Sequence, residues 1–295
     1  MPARVTTVPP APQRHIDAHK GDAGRVAILA GSRGMSGAAV LCGLGALRGG
    51  AGLARVLAPA GAQAVIAAAE PCLMTLALPE DADGRTDASA EALLRESLNA
   101  ADAVVVGPGL GRSAALDALL ADVIRRTTAP LLIDADALNS LASTTLEPLL
   151  ARAAMTSVLT PHPGEMARLQ PGRSAEALRS DAVARVESAA SLARSARAVV
   201  ALKGRGTIVT DGERFFINPS GNAGMAAGGM GDVLAGLIAA LIGQGMSPFD
   251  AACRGVWLHG AAADCAAQRI GPVGYLAREV ADELPRVDAD GGPGR

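Results

Sequence analysis

Aromatic residues are almost missing from this chain: three Phe, one Tyr and one Trp make up 2% of its 295 residues. A stacking platform for single-stranded nucleic acid needs successive aromatic faces, so that class of function is excluded, and the core has to be built from Ala, Leu, Val and Ile. An excess of charge of one sign is lacking as well. A formal net charge of -2 with pI near 6.1 leaves no field to gather DNA or an anionic membrane surface. Any anion bound here is small and held locally. Cysteine is scarce: Cys42, Cys72, Cys253 and Cys265 lie far apart with no C-x-x-C pair, which argues against a zinc knuckle or a dense disulfide framework and for free thiols. The longest apolar run, "VLAGLIAALIG" over 233–243, is too short to cross a bilayer. The opening "MPARVTTVPPAPQRHIDAHKGD" is polar and proline-bearing, without the apolar stretch of a secretory signal. The expectation is a soluble, cytoplasmic protein with no nucleic-acid or membrane partner.

What is present fits one sizeable α/β domain, since 49% of residues are hydrophobic and only 19% charged. Strand-forming runs alternate with helix-length segments: 25–31, 53–59, 72–78, 103–108, 131–136, 157–162 and 198–204. Several are apolar throughout, as strands covered on both faces are, which predicts a mostly parallel sheet between two helical layers. Over 206–218, two β-rich runs flank Asp211-Gly212, a pair favoured in tight turns, and predict an antiparallel hairpin at a sheet edge. Helices follow in series. The expected organisation is a flexible tail over 1–18, one domain over 19–283 and a flexible tail over 284–295.

The stretch "SGNAGMAAGGMGDVLAG" (220–236) places a glycine-rich loop ahead of a helix and one carboxylate, Asp232, at the junction. The first amides of a helix have no internal partner and form an anion site, and glycine lets a phosphate approach the backbone closely. A carboxylate there repels phosphate unless it takes a proton from an attacking hydroxyl; alternatively, Asp232 only favours the positive first turn. "VALKGRGTIV" adds Lys203, Gly204, Gly206 and Thr207 as a loop of free amides with one cation. "VVGPGLGR" (105–112) runs from a strand into glycines, and in open α/β sheets ligands gather beyond the strands' carboxyl ends. In "LLIDADALN", Asp136 fits a helix cap and Asp134 a supporting role toward a ligand or hydrated metal. His162 in "TPHPGEM" is read alone as a surface loop residue, and His259 as a hydrogen-bonded core histidine. His15 and His19 lack a helical frame and suggest no metal site.

Taken in order, "HKGDAGRVAILAGS", "SGAAVLCGLGALRGGAGL", "VVGPGLGR", "LLIDADALN", "LTPHPGEM", "ALKGRGT" and "GNAGMAAGGMGDVLAG" closely resemble the ADP/ATP-dependent NAD(P)H-hydrate dehydratases of the ribokinase-like superfamily, from about His19 to about Glu279. The resemblance implies a ribokinase-like three-layer sandwich that restores NADH and NADPH from their 6-hydroxy hydrates, with ADP or ATP as co-substrate and Mg2+. It assigns Asp232 as the base, and Ala38, Gly109 and His162, with Asp232, as contacts of the hydrated dinucleotide. Lys203, Gly204, Arg205, Gly206, Thr207 and Gly231 fall to the adenine nucleotide; no metal ligands are assigned. It also implies a homo-oligomer, a tetramer by family habit, and a separate epimerase in the same repair pathway, because fewer than twenty residues precede the first motif. Ala227 stands where the family often has Thr or Ser, His162 where sugar kinases carry the Asn of N-x-x-E before Glu165, and Arg278-Glu279 where relatives show a small polar residue and Asp. Two other classes remain: a ribokinase-like kinase of a vitamin-precursor alcohol, and a nucleotide-sensing module without turnover, against which the carboxylate at Asp232 argues.

Overall fold

Apolar residues at every position of a strand need cover on both sides, and the chain supplies it. The computed structural model describes residues 2–287. Its ten strands are β1 (Ala3–Val5), β2 (Arg25–Leu29), β3 (Leu53–Pro59), β4 (Met74–Leu78), β5 (Ala103–Val106), β6 (Leu131–Ile133), β7 (Ser157–Leu159), β8 (Val199–Leu202), β9 (Ile208–Thr210) and β10 (Arg214–Ile217). They form one sheet in the order β1-β10-β9-β8-β7-β6-β5-β2-β3-β4. Helices α1 (Ser36–Arg48) and α2 (Ala60–Ala69) cover one face. On the opposite face lie α3 (Glu91–Asn99), α4 (Ala114–Arg126), α5 (Ala135–Ser143), α6 (Glu147–Leu150), α7 (Pro163–Leu169), α8 (Ala177–Ser180) and α9 (Ala182–Ala196). The chain returns to the first face with α10 (Met230–Gly243), α11 (Pro248–Ile270) and α12 (Ala277–Glu283). The two-residue period of a strand splits β5 accordingly. Ala103 and Val105 join the core under α1 and α10, while Val104 and Val106 join the one under α4 and α5.

All pairs from β8 through β4 are parallel, and β9 is antiparallel to both of its neighbours. The expected hairpin is the β9–β10 pair, turned at Asp211, whose carboxylate accepts the Glu213 and Arg214 amides at 3.0 and 2.9 Å. Two expectations need correction at the chain ends. Residues 3–5, read as part of a flexible tail, form β1 and pair in parallel with β10, so that hairpin is not the sheet edge. The run of three is too short to register as a strand alone, and the open edge of β10 supplies the ladder. At the other end, residues 284–286 make a 3-10 turn with Leu284 buried against the α11–α12 core; residues 288–295 of the expected tail lie outside the described residues. No helix among the described residues is long and apolar enough to cross a membrane.

β2, β3 and β4 build outward in one direction, and β5 then pairs with the other side of β2. The strand order therefore reverses between β2 and β5, and the loops leaving these strands diverge into a crevice. Above the same end of the sheet, α10 is held by α1. A Cβ on Gly45 would collide with the Val233 carbonyl and one on Gly236 with the Cys42 carbonyl, so these helices touch backbone to backbone. Small residues in both sequences set that distance, which fixes where α10 begins.

Candidate active site

The start of α10 is built from its glycines upward. Gly229, the residue before the helix, has φ of +86°, and its position carries no side-chain cap. An L side chain there would be strained and would meet Leu41 besides. The first-turn amides of α10 thus have no capping side chain and stay available to a ligand. The loop before them is anchored by a polar set that the sequence did not announce. Asp264 accepts the Gly221 amide at 2.9 Å and the Asn222 side chain at 2.8 Å, and the Tyr275 hydroxyl donates to Asn222 at 2.6 Å. A single Asp in the Ala-rich run "GAAADCAAQ" and the chain's only Tyr were the available signals.

Beneath this start, an ionic cluster gathers side chains from three strand ends. β6 runs into Asp134, β8 into Lys203, and the turn after β7 into His162 and Glu165. Lys203 Nζ donates to Asp134 Oδ1 at 2.6 Å and lies 4.0 Å from Glu165 Oε2. Asp134 and Glu165 are buried. Burial, reinforced by the negative charge of Asp134 and opposed by Lys203, pushes the Asp232 carboxyl up to about 7. Burial likewise pushes Glu165 up to about 7, with Lys203 pulling down and Asp134 pushing up. For Lys203, burial works against the ammonium, but Asp134 and Glu165 outweigh it and its pKa is raised. The cluster therefore keeps a cation next to a carboxyl, Asp232, poised to exchange a proton near neutral pH. His162 is more engaged than a surface loop residue. Its Nδ1 accepts the Gly164 and Glu165 amides at 2.9 and 3.3 Å while Glu165 Oε2 accepts the His162 amide at 2.8 Å, a reciprocal cap at the start of α7. Its Nε2 lies 3.3 Å from Glu165 Oε1, and burial, then Lys203, lowers its pKa.

The loop 203–207 leaves β8 beside this cluster. Arg185 of α9, buried, donates to the Arg205 carbonyl and reaches the Leu202 carbonyl at 3.5 Å, gripping the loop from behind. Sequence reasoning missed Arg185, which reads as one more charge on a polar helix. Thr207 Oγ1 donates to the Gly204 carbonyl at 3.0 Å, while Gly204 and Arg205 are exposed. Ala38 and Gly109 meet at the β2–β5 crevice: a Cβ on Gly109 would lie 3.0 Å from that of Ala38. The structure thus brings Asp232, Gly231 and Lys203 together, pairs Ala38 with Gly109, and sets His162 against Glu165.

Two expectations change. Asp136 does not cap α5; its Oδ2 accepts the Gly111 amide at 2.9 Å and pins the glycine loop after β5. His259 sits in the core as expected, but its Nε2 has no hydrogen-bond partner among the described residues, and burial, then Lys203, lowers its pKa to about 4. Arg278 and Glu279 acquire local roles, Arg278 facing Glu70 at 3.4 Å and Glu279 accepting the Leu276 amide at 2.7 Å at the start of α12. Ala227 is exposed.

The site fits a phosphate. A Cβ on Gly231 would lie 3.4 Å from Lys203 Nζ and 3.7 Å from Asp134 Oδ2, so the missing side chain leaves the ammonium open toward the first turn of α10. No group of three or more His, Cys, Asp or Glu side chains forms a metal cage among the described residues.

The sequence profile described as NAD(P)H-hydrate dehydratase matches residues 26–286. The bifunctional NAD(P)H-hydrate repair enzyme of Moorella thermoacetica is 44% identical over 278 residues, covering 94% of this chain and 51% of that protein. The ADP-dependent (S)-NAD(P)H-hydrate dehydratase of Neisseria meningitidis serogroup B is 39% identical, over 91% of this chain and 86% of that protein. Among solved structures, the ADP/ATP-dependent NAD(P)H-hydrate dehydratase from Bacillus subtilis, co-crystallized with ATP/Mg2+, superposes with a TM-score of 0.78 at 31% identity, covering 94% of this chain and 93% of that one. The chain spans about half the length of the bifunctional relatives it matches.

Proposed function

The chain belongs to the NAD(P)H-hydrate dehydratase family, and on that premise we propose that it dehydrates the S-epimer of hydrated NADH and NADPH at the expense of ADP or ATP. The observation that carries the reading is Asp232, a carboxyl poised near neutrality, in the first turn of a helix whose amides and neighbouring Lys203 suit a phosphate. Hydroxide is a poor leaving group at neutral pH, so the hydrate's 6-hydroxyl has to be activated. Asp232 accepts the proton of that hydroxyl as its oxygen attacks the terminal phosphorus of the nucleotide, and the bond from that phosphorus to the departing AMP or ADP oxygen breaks. Lys203 and the amides of α10 face the charge that develops on the phosphoryl oxygens. The ring nitrogen's electron pair then expels phosphate from the carbon it activates, and loss of the neighbouring C–H proton restores the dihydronicotinamide double bond.

Gly204, Arg205, Gly206 and Thr207 line the adenine nucleotide in this reading, with Gly231 at the phosphoryl group. Ala38 and Gly109, with His162, contact the hydrated dinucleotide. Mg2+ bound to the nucleotide's phosphates would neutralise part of their charge. The catalytic unit is one domain, with β1 in its sheet and Leu284 in its core. It works in the cytoplasm as a homo-oligomer, and epimerisation of the hydrate falls to a polypeptide segment other than these residues.

The test is to supply hydrated NADH with ADP or ATP and follow both recovery of dihydronicotinamide absorbance and free phosphate. Stoichiometric release of both supports the reading. A stable phosphorylated acceptor with no free phosphate would instead identify a kinase, and no turnover with any acceptor a sensing module.

A further inference from the structure

The residue after β6 is in an ordinary capping position and does not cap. Asp134 stands at the N-cap of α5 with extended φ and ψ of -134° and 164°, yet its side chain accepts none of the helix's amides. The residue after it, Ala135, is held at φ of +50°, a left-handed conformation that is unfavourable for an L-residue. Such cost persists where the surroundings impose it, often at a functional site. The carboxylate released from capping turns to Lys203 Nζ at 2.6 Å, and its other oxygen lies 3.7 Å from where a Gly231 Cβ would be. One buried carboxylate therefore reaches both the cation and the first turn of α10.

We infer that Asp134 is a positioning residue for phosphoryl transfer, aiming the Lys203 ammonium at the start of α10 and facing Asp232 with a fixed negative charge. The inference rests on the dehydratase reading for its kinetic consequence only. Without Asp134 the ammonium has Glu165 and Asp232 as rival partners and swings toward one of them. With it, Lys203 stays centred below the helix start, and Asp232 is kept from becoming a mere salt-bridge partner with little affinity for a proton. The groups facing Asp232 are Asp134 and Asp136 from the β6–α5 turn, Lys203 from β8, and the buried Cys42 thiol from α1, whose pKa is raised by burial and then by Asp232 and Asp134. Glu165 and His162 from the start of α7, and His259 from α11, face Lys203. Among these, Asp134 is the largest charged contribution to Asp232 after burial, and it acts upward.

The experiment is to titrate the Asp232 carboxyl by carbon NMR in the ligand-free protein, wild type against Asp134→Asn, and to measure kcat on the same samples. The expected result is a midpoint that moves down from about 7 toward the ordinary carboxylate range. A loss in kcat of up to ~10²-fold should accompany it, the scale on which misplaced groups act. Asp134→Glu, which keeps the charge and shifts its place, should lose kcat with much less movement of the midpoint. Should Asp134→Asn not fold because Lys203 has lost its closest partner, the comparison passes to Lys203→Met with and without Asp134→Asn, where the second change should again lower the midpoint. An Asp232 midpoint that stays put on removing Asp134 overturns the inference, whether or not kcat falls. A wild-type protein without dehydratase activity would instead overturn the reading of the reaction, and leave the titration to be judged on its own.

Discussion

Two helices on the same face of the sheet begin with an aspartate at the capping position, and the two side chains do opposite things. Asp181 accepts the Val183 and Ala184 amides of α9 at 2.9 and 3.1 Å, as an N-cap residue does. Asp134, ahead of α5, accepts none and takes Lys203 instead. The first is exposed and local; the second is buried and joins residues 69 positions apart in the chain. Asp232, in the first turn of α10, is a third acid at a helix start, and it makes no cap either. The difference teaches that an acid at a helix start is structural when its own amides claim it. It becomes available for chemistry when the tertiary fold draws it elsewhere.

The sharpest test of that contrast is Asp232→Asn. Asn keeps the size of the side chain but accepts no proton, so kcat should fall by ~10²–10⁴-fold, the usual scale for a general base, with nucleotide affinity little changed. Steady-state kinetics beside a nucleotide titration would decide it, and near-normal kcat would leave Asp232 as no more than a first-turn acid. In the wild type, kcat/KM should rise with pH through about 7, since the base works in its ionised form.

Lys203→Ala comes next. Read from the sequence, a loop lysine is dispensable to the fold; in the structure its loss strands Asp134 in the interior. Breaking a buried pair from one side costs about 3–5 kcal/mol, toward the low end here because Lys203 keeps some exposure. Calorimetric melting should show that loss together with weaker binding of ADP and ATP. A variant as stable as the wild type would mean that the cluster is held by something other than its cation.

Asp181→Ala should cost about 1 kcal/mol, the ordinary value of an exposed N-cap, and leave kcat untouched. An effect on kcat would blur the contrast between the two aspartates. The smallest effect is a slope. Asp232 and Glu165 hold protons more tightly in the folded chain than in the unfolded one, so their stabilising contribution is complete below the ordinary carboxylate range and is lost as pH rises to about 7. Asp232→Asn removes one of these terms. Its Tm relative to wild type should therefore climb between about pH 4 and about pH 7, and a difference flat with pH would contradict the raised carboxyl.

Most strands were legible because period and composition are local. The run 103–108 is apolar at every position, and it became β5 with a core on each side. Asp211-Gly212 announced the β9–β10 turn for the same reason. β1 was not legible, since three residues carry no period and their pairing depends on the free edge of β10. At the site, glycines ahead of an apolar helix pointed to a phosphate-binding start, and Lys203 to its cation. Arg185 and Asp264 stayed hidden because their partners lie seventeen or more positions away in the chain. Asp136 was misread because capping and cross-loop bonding use the same residue type, and only the position of the Gly111 amide separates them.

The sequence by itself determined the alternation that makes a parallel sheet, the glycines that let α1 and α10 touch, and the presence of one carboxylate at the start of α10, because each of these is written in neighbouring residues. The tertiary structure alone decided which acids are spent on their own helices and which are free to face a ligand. That choice depends on burial and on charges brought from β6, β7 and β8 to one point: desolvation raises Asp232 and Glu165 toward neutrality while the Lys203 ammonium donates to Asp134 beside them.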